Sequence, residues 1–503
     1  MLIEMHAHTS RHSSCSRIDP VELVERARMK GLQGLVITEH DYLWSETELE
    51  ELRREAGADE SFMILAAQEV STNMGHVLVY GVDHTISGVS SLRELRRLYP
   101  GAALVWAHPF RNDRVPEASR LLRPELDAIE IITNNHSSRG NYLGLMLWHR
   151  HRFTAISGSD THAVETAGTL PTLFDHPVRS MAELVEELKE GRCRPLYKEI
   201  PKTGSNTYVE VISLGTKGED ESRQRIIVKR PKSNDRWKPL KRSSEILRLI
   251  HGHGFSSGPF RVPTVIDIND EDRYVIEEGQ RGKSLFELIT RVGAGVGQGY
   301  LRAAAQWLAR LHMARIDLDL ADRTLMRERH RFESYLRAFE KTGSPHLEGA
   351  RVLLEAVRDF EEELFTHHRH EFVVVHGDYH PKNIIIGQGM MQDIGTMYVS
   401  VIDFGSVLAF HPAFDVGYFL AQFANQLRDY PDAIERYPGE DFIQAYLSAS
   451  NRPDTPSFRR ATELFQVRAN LSIASFLIHV GKGMSANMEE VMTRSRSILK
   501  RAG

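Results

Sequence analysis

Three polar residues in the second half of the chain have the types and the spacing that phosphoryl transfer requires. Asp378 and Asn383 follow the apolar run 372–375, and Asp403 lies twenty residues beyond Asn383. The apolar run predicts a short buried strand, so Asp378 and Asn383 share the loop that follows it. A carboxylate there can accept the proton of an attacking hydroxyl, while an amide and a second carboxylate hold magnesium against the phosphates. The spacing predicts Asp378 as a catalytic residue and Asn383 and Asp403 as magnesium ligands.

The wider pattern around these residues resembles one family. His-Gly-Asp-x-His-x-x-Asn begins at His376, Ile-Asp-Phe-Gly begins at Ile402, and Asp415 follows. This order resembles the aminoglycoside phosphotransferase and choline kinase family, a branch of the protein-kinase-like fold. The resemblance implies a bilobal α+β fold for residues 203–503, ATP and magnesium as cofactors, and a small-molecule phosphoryl acceptor. It also implies that Asp415 steadies the catalytic loop.

The resemblance further implies a nucleotide-binding segment before this loop. The sequence predicts a strand over 207–214, a glycine-containing turn and a return strand over 224–229. In the family such a turn covers the nucleotide phosphates, and a Lys on the return strand contacts them. A carboxylate on the following helix pairs with that Lys, and backbone groups of the hinge bind adenine. The matching residues are Gly204, Ser205, Gly215 and Gly218 near the turn, Lys229 on the return strand, its partner Glu245, and Glu277 in the hinge. For Lys229 alone, a solvent-exposed strand position is the alternative.

In the first half of the chain, residues that commonly bind metals recur where predicted strands end. His6 and His8 close the first strand, and strand alternation places both imidazoles on one face. Helices separate the later strands, which is typical of a (β/α) barrel, whose active site is built from loops at the carboxyl ends of the strands. Those later ends carry His40, Glu69, His108, His136, and Asp160 with His162. We therefore expect these side chains to converge on a metal site.

These motifs resemble the PHP family, named for polymerase and histidinol phosphatase, whose members are distorted (β/α)7 barrels holding two or three divalent ions. The resemblance covers residues 1–195 and implies zinc, manganese or magnesium. The family's extra ligand, commonly His or Asp, aligns with Cys15, near His12, and a thiolate there would favour zinc. The implied ligands are His6, His8, Glu69 and Asp160 for one metal, Glu69, His76 and His108 for a second, and His40 with His162 for a third. Asp160 and His162 are also the implied catalytic residues.

Phosphoester hydrolysis is the chemistry that such a ligand set implies. Clustered divalent ions lower the pKa of a water molecule and neutralise the oxygens of a phosphate under attack. Arg111, Arg139 and His136 lie on loops at the same rim and are candidates to bind the substrate phosphate, because guanidinium matches phosphate bidentately. Solvent-exposed positions without a ligand are the alternative for each of these three residues.

The composition limits the other classes of protein to which the chain could belong. At 503 residues the chain suggests two large domains or three ordinary ones, and we place a boundary between residues 191 and 202. The net charge of -5 argues against a strongly basic nucleic-acid surface. Two cysteines, Cys15 and Cys193, exclude a disulfide framework and fit a cytoplasmic location. The sequence shows neither a signal peptide nor an apolar run of the roughly 20 residues needed to cross a membrane.

Together these patterns predict a bifunctional enzyme of the α/β plus α+β class, with a metal-dependent phosphoesterase at residues 1–195 and an ATP-dependent phosphotransferase at residues 203–503. One alternative is processing of nucleic-acid ends, for which the basic run 230–242 with Trp237 is a candidate surface. Asp235 interrupts that run, which favours a solvated loop. The other alternative is a phosphatase regulated by an ATP-binding, kinase-like sensor. The substrates, the metal and the oligomeric state are not indicated.

Overall fold

The computed structural model describes residues 1–203, 206–216, 224–291, 294–316, 321–388 and 397–502. The chain divides into two compact units. The first unit comprises Met1–Arg230 with Asn269–Gly279, and the second comprises Pro231–Ile268 with Gln280–Gly503. Within the described residues, no helix combines the length and the apolar character that crossing a membrane requires. The functional boundary at residues 191–202 stays a prediction.

A nine-stranded sheet forms the centre of the first unit, in the order β7-β6-β5-β4-β3-β2-β1-β8-β9. Its strands are β1 Leu2–Glu4, β2 Gly34–His40, β3 Met63–Thr72, β4 Gly75–Tyr80, β5 Ala103–Trp106, β6 Ala128–Ile132, β7 Ala155–Ser157, β8 Thr172–Phe174 and β9 Cys193–Pro195. The helices beside it are α1 Pro20–Met29, α2 Glu46–Glu55, α3 Leu92–Leu98, α4 Ala118–Leu121, α5 Ser138–His151 and α6 Met181–Lys189.

The sheet is mixed, which differs from a regular seven-fold repeat of strand and helix. Strands β1 to β3 pair in parallel, as do β5 to β7, but β4 is antiparallel to both of its neighbours. Only Asn73 and Met74 join β3 to β4, and so short a link permits a hairpin but no helical crossover. The fold is therefore mixed α/β with a barrel-like order of strands, while the (β/α)7 description stays a prediction.

Both faces of this sheet are buried. Leu35 and Ile37 of β2 belong to one apolar cluster, and Val36, which lies between them, belongs to another. This alternation is the two-residue period of a strand. Because helices and loops cover both faces, nearly every residue of β2 is buried, as expected for a strand within a parallel sheet. The polar side chains at the strand ends are thus anchored by a rigid support.

The remaining strands are β10 Tyr197–Thr203, β11 Thr207–Leu214, β12 Arg225–Pro231, β13 Phe260–Arg261, β14 Val265–Asn269, β15 Tyr274–Glu278, β16 Lys283–Ser284, β17 Val373–Val375, β18 Ile384–Gln388, β19 Met397–Val401 and β20 Leu408–Phe410. The remaining helices are α7 Trp237–Ile250, α8 Leu285–Ile289, α9 Ala294–Met313, α10 Ala321–Lys341, α11 Leu347–His367, α12 Ala413–Gln426, α13 Pro431–Arg436, α14 Gly439–Ala449, α15 Pro456–His479 and α16 Ala486–Ala502.

Strands β10, β11, β12 and β15 follow one another in a sheet of the first unit. The turn after β11 packs against two segments: Thr216 N donates to Thr169 O in the loop before β8, and Gly215 N donates to Leu196 O between β9 and β10. At the far end of β12, the Arg230 guanidinium donates to the hydroxyl of Tyr142 in α5 at 2.7 Å. These contacts explain why the first unit extends beyond residue 195.

The second unit is mainly helical. Helices α10, α11, α12, α15 and α16 contribute an apolar cluster that includes Phe339, Val357 and Ile473. Beside the helices, β17 pairs with β20, and β18 pairs with β19. Trp237 begins α7 and is buried, so it is not available to stack on a nucleic-acid base. The bilobal description of residues 203–503 stays a prediction.

Candidate functional site

Four side chains from three strand ends of the first unit meet in one buried cluster. His6 and His8 follow β1, Glu69 lies in β3, and Asp160 follows β7. Their inward atoms, His6 Nε2, His8 Nε2, Glu69 Oε2 and Asp160 Oδ1, lie 3.1 to 3.4 Å apart in the pairs that the structure records. All four residues are buried. This is the first predicted ligand set, brought together by the sheet.

Glu69 also gathers three more imidazoles through its two carboxylate oxygens. His76 Nδ1 lies 2.6 Å and His108 Nε2 3.1 Å from Glu69 Oε1, and His40 Nδ1 lies 3.2 Å from Glu69 Oε2. The antiparallel pairing of β3 with β4 places His76 beside the end of β3. Glu69 is therefore placed to bridge two ions, and His40, Glu69 and His76 have mutually close ligand atoms.

A third group of close ligand atoms consists of His8, His40 and His162. The His8 ring lies 4.5 Å from the His40 ring and 4.7 Å from the His162 ring, centre to centre. Cys15, predicted as the further ligand here, is exposed and belongs to none of the ligand groups found among the described residues. Cys15 as a further ligand here stays a prediction.

The residues of this cluster have the properties expected of a cation-binding site. Burial opposes ionisation of Asp160, but His6 and His8 outweigh it and hold the pKa of that carboxyl below its usual range. Asp160 Oδ1 is buried and has no hydrogen-bond partner among the described residues, and an unpartnered buried carboxylate oxygen is costly. A divalent ion would satisfy it. With imidazole and carboxylate ligands in one set, the site suits zinc or manganese.

Two buried carboxylates that the sequence reasoning did not identify orient the imidazoles. Glu130 Oε1 lies 3.0 Å from His6 Nδ1, and its Oε2 accepts from His108 N at 2.9 Å. Glu39 accepts from Ser13 Oγ and from Trp44 Nε1 and lies beside His8 Nδ1. Carboxylates that hold the outer nitrogen of a ligating His fix the orientation of its ring. Glu130 could have been identified from the sequence, because it is an acidic residue inside the otherwise apolar strand β6.

Gly158 permits the close approach of these groups. A Cβ at this position would lie 2.5 Å from Glu130 Oε1 and 2.6 Å from the His6 Cβ, distances that side chains do not reach. Nearby, Glu4 accepts from Ser159 N and from His6 N. Burial raises the pKa of Glu4 to about 7, although those hydrogen bonds oppose the rise. Glu4 thus supports the loop that carries Asp160.

A cavity of about 680 Å³ opens beside the cluster, and His76, His108, Arg111, Arg114 and Arg120 are among its lining residues. Arg111 therefore lies on the wall of this cavity. Arg139 donates to Asp113 O. His136 is buried, with Phe110 N donating to its Nε2 and its Nδ1 3.2 Å from Asn141 Oδ1; burial lowers its pKa to about 4. Both ring nitrogens of His136 are thus engaged within the protein, and phosphate binding by Arg111, Arg139 and His136 stays a prediction.

In the second unit, strand pairing brings the predicted phosphotransfer residues together. Ile384 of β18 pairs with Val401 of β19, and Ile402 N donates to Asn383 O at 3.0 Å. Asn383 Nδ2 donates to Asp378 O at 3.1 Å and lies 3.4 Å from Asp378 Oδ2. Asp403 is exposed, with a φ of 69°, a strained conformation common at functional sites. The amide oxygen of Asn383 and the carboxylate of Asp403 can serve as metal ligands.

Asp415 fixes the beginning of this loop. Its two oxygens accept from His376 N at 2.6 Å and from Gly377 N at 2.9 Å, and His312 Nε2 lies 3.1 Å away. Gly377 has a φ of 80°, and any Cβ there would overlap the Ser406 carbonyl. Asp415 therefore steadies the loop, as the family resemblance implies.

The Asp378 carboxylate has a further partner that the sequence reasoning missed. The Tyr418 hydroxyl in α12 donates to Asp378 Oδ1 at 2.6 Å. Burial raises the pKa of Asp378, while His380, 3.7 Å from Oδ1, and the Tyr418 hydrogen bond oppose the rise. Nothing in the local spacing distinguishes Tyr418 from the other aromatic residues of this helix.

Lys229 has a different carboxylate partner from the predicted one. Its Nζ lies 2.8 Å from the carboxylate of Glu277, because β12 pairs with β15 and Lys229 faces Val275, two residues away. Glu277 thus acts through its buried side chain, where the sequence predicted a hinge backbone contact. Glu245 is exposed. Gly204, Ser205 and Gly218 lie outside the described residues.

Comparison with family models gives two matches. Residues 205–460 match the model described as "Phosphotransferase enzyme family". Residues 139–193 match the model described as "PHP-associated". The first match spans half of the chain and includes Lys229, Asp378, Asn383 and Asp403. The second includes Asp160 and His162. Among curated proteins, none matches the chain.

The chain is also similar to solved structures, at low identity and with low TM-scores. An ethanolamine kinase of Plasmodium vivax is 14% identical, with 61% of this chain and 82% of that chain covered and a TM-score of 0.38. A choline kinase of Cryptosporidium parvum is 15% identical, with coverages of 61% and 89% and a TM-score of 0.43. A protein of Bifidobacterium adolescentis described as a metal-dependent phosphoesterase is 18% identical, with coverages of 33% and 88% and a TM-score of 0.26. With TM-scores this low, these likenesses support no inference about activity.

Proposed function

Because the chain belongs to the phosphotransferase enzyme family, we propose that it transfers the γ-phosphate of ATP to a hydroxyl or amine of a small molecule, and that its first half hydrolyses a small-molecule phosphoester. The observation that carries the proposal is that each half holds the groups its reaction needs. The first half brings together seven metal-type ligands, with Glu69 among them, and the second brings Asp378, Asn383 and Asp403 onto adjoining segments. The proposed functional domains are residues 1–195 and 203–503.

In the phosphotransfer half, Asp378 orients the acceptor and takes up its proton. Tyr418 occupies Oδ1, so Oδ2 is the oxygen available to the acceptor hydroxyl. Asn383 and Asp403 would hold magnesium, which when bound neutralises charge on the transferring phosphate. We assign Lys229, held by Glu277, to the nucleotide phosphates. This assignment follows from the family match, which begins before Lys229.

In the phosphoesterase half, the ligands around Glu69 would hold two or three divalent ions, which when bound lower the pKa of a water molecule and neutralise phosphate oxygens. Glu130 holds His6 through its Nδ1, and the Ser13 hydroxyl, which donates to Glu39, lies 3.4 Å from His8 Nδ1, so that both rings direct their Nε2 atoms inward. Arg111, which lines the adjacent cavity, binds the substrate phosphate. Asp160 and His162 complete the ligand set from the loop after β7.

Two variants and two probes test both halves, and each variant is the control for the other. We expect Asp378→Asn to lower transfer of label from γ-labelled ATP by about 10²- to 10⁴-fold, while its zinc- or manganese-dependent hydrolysis of p-nitrophenyl phosphate stays at the wild-type rate. We expect the reverse for Asp160→Ala. Loss of both activities in one variant would contradict two separate sites.

The same label shows whether the two sites act on one phosphate. We propose that they do, and expect labelled product from a pool of small metabolites to accumulate in Asp160→Ala beyond the wild-type amount. Equal accumulation would show that the sites use different groups or molecules. Label recovered in added oligonucleotides would favour processing of nucleic-acid ends. ATP bound without turnover by the wild type would favour the sensor alternative.

A further inference from the structure

A line of hydrogen bonds in α12 leads to the Asp378 carboxylate. Tyr418, Gln422 and Gln426 are spaced four residues apart, so they lie along one face of the helix. The Gln426 amide donates to Gln422 Oε1 at 3.3 Å, and the Gln422 amide donates to the Tyr418 hydroxyl oxygen at 3.3 Å. The Tyr418 hydroxyl donates to Asp378 Oδ1 at 2.6 Å. In each of these three hydrogen bonds, the acceptor is the group nearer to the Asp378 carboxylate.

This common direction decides where the Tyr418 proton lies. A hydroxyl has one proton to donate, and because Gln422 donates to the Tyr418 oxygen, that proton points to Asp378. Tyr418 is almost fully buried, so water does not compete strongly for it. A donor to a carboxylate also makes a shorter and stronger hydrogen bond than a neutral pair does, in agreement with the 2.6 Å separation.

We propose that Tyr418 is a positioning residue for phosphoryl transfer, which holds Asp378 Oδ1 so that Oδ2 faces the acceptor, and that Gln422 directs the Tyr418 hydroxyl. This inference rests on the proposed phosphotransferase function. The other groups that face the Asp378 carboxylate do not provide the same restraint: Asn383 Nδ2 lies 3.4 Å from Oδ2, and His380 Nε2 lies 3.7 Å from Oδ1. Asp403 carries the same charge as Asp378 and repels it.

The test uses the full-length protein and MgATP, with water as the acceptor. We expect Tyr418→Phe to lower the turnover number by about 10- to 100-fold and to leave the KM for MgATP unchanged, because Tyr418 holds Asp378 and not the nucleotide. Gln422→Leu keeps the hydroxyl but loses its directing donor, so we expect a smaller fall in the turnover number. Tyr430→Phe, which removes an exposed tyrosine hydroxyl from the same unit, is the matched control and keeps the wild-type turnover number and KM.

The outcomes separate this proposal from the proposed function. A wild-type protein that does not hydrolyse MgATP, or an Asp378→Asn variant that still does, overturns the phosphotransferase assignment and this inference with it. Turnover that depends on Asp378 but is unaltered by Tyr418→Phe overturns only the role of Tyr418. A lower rate in Tyr418→Phe with a raised KM for MgATP, or with an equal loss in the Tyr430→Phe control, would show a structural role and would also overturn it.

Discussion

At the scale of single residues, the first half is organised by Glu69 and Asp160. Glu69 touches five imidazoles through two oxygens, while Asp160 Oδ1 is buried with no hydrogen-bond partner among the described residues. Burial of so many ionisable groups is costly unless they are paired or bind a metal. The imidazoles hold the pKa of Glu69 well below its usual range despite burial. The cluster is therefore charged and ready to bind a cation.

The first prediction concerns metal content. We expect Asp160→Asn to lose at least one zinc ion per chain after equilibration with zinc and dialysis, because an amide is a weaker ligand than a carboxylate and adds no charge. Asp83→Asn is the matched control, since Asp83 is an exposed acid bonded only to its neighbour His84. Elemental analysis by mass spectrometry measures the difference. Equal zinc in Asp160→Asn and the wild type would contradict the assignment.

The second prediction concerns the pH dependence of phosphoryl transfer. Burial raises the pKa of Asp378 above its ordinary value of 3.8. The charged carboxylate is the form that accepts a proton, so the rate is full above the raised pKa and falls as the pH decreases through it. We therefore expect an acidic limb above pH 3.8 in the turnover of MgATP. A rate that stays constant down to about pH 4 in folded protein would contradict this.

At the scale of elements, the catalytic loop depends on a tight turn after β17. Gly377 has a φ of 80° and lies against the Ser406 carbonyl, whereas Gly343, at a φ of 56°, has open space around the position of a Cβ. Both glycines are in the left-handed region, so an added side chain at either position meets the same kind of backbone strain. Only at Gly377, in the catalytic loop, would the added side chain also overlap a neighbouring group, the Ser406 carbonyl.

The third prediction uses this pair of glycines. We expect Gly343→Ala to lower the free energy of unfolding by about 1 kcal/mol, the cost of a left-handed alanine. Gly377→Ala should cost more and should also lower phosphoryl transfer, because relief of the overlap displaces the turn that Asp415 holds. Urea denaturation and MgATP turnover measure the two effects. Equal costs at both positions would show that the turn accommodates a methyl group.

At the scale of the whole molecule, the chain forms two compact units whose boundaries differ from the predicted functional domains. Strands β10 to β12 and β15 belong to the first unit. Tyr142 in α5 contacts both Arg230 and Tyr274, and Asn141 in α5 donates to the side chain of Gln224 at 3.0 Å. The segment that carries Lys229 is thus packed against the part of the chain that carries the metal ligands.

The fourth prediction concerns metal and local stability. A ligand that binds only the folded state stabilises it by mass action, and the groups of close His, Asp and Glu ligand atoms found among the described residues lie in the first unit. We expect chelation of zinc to increase amide hydrogen exchange in β1, β3 and β7 and to leave exchange in α12 and α15 unchanged, as measured by mass spectrometry. Asp160→Asn, treated identically, should show little further change. Equal increases in both units would contradict a site confined to the first.

The sequence by itself determined the chemical groups and their local spacing. His6 and His8, or Asp378 and Asn383, are close in the chain, so the period of a strand or the length of a loop already places them near each other. The apolar runs before them predicted strands that the structure contains, such as Ala103–Trp106 and Val373–Val375. The family match over residues 205–460 confirms the resemblance that Asp378, Asn383 and Asp403 suggested.

Only the tertiary structure decided which distant side chains support those groups. Glu130 lies 124 residues from His6, and Tyr418 lies 40 residues from Asp378. The ion pair between Lys229 and Glu277 depends on the pairing of β12 with β15, and the group formed by His8, His40 and His162 depends on how closely the His8 ring approaches the other two. No local period encodes these contacts, because each arises from the packing of elements that are separate in the chain.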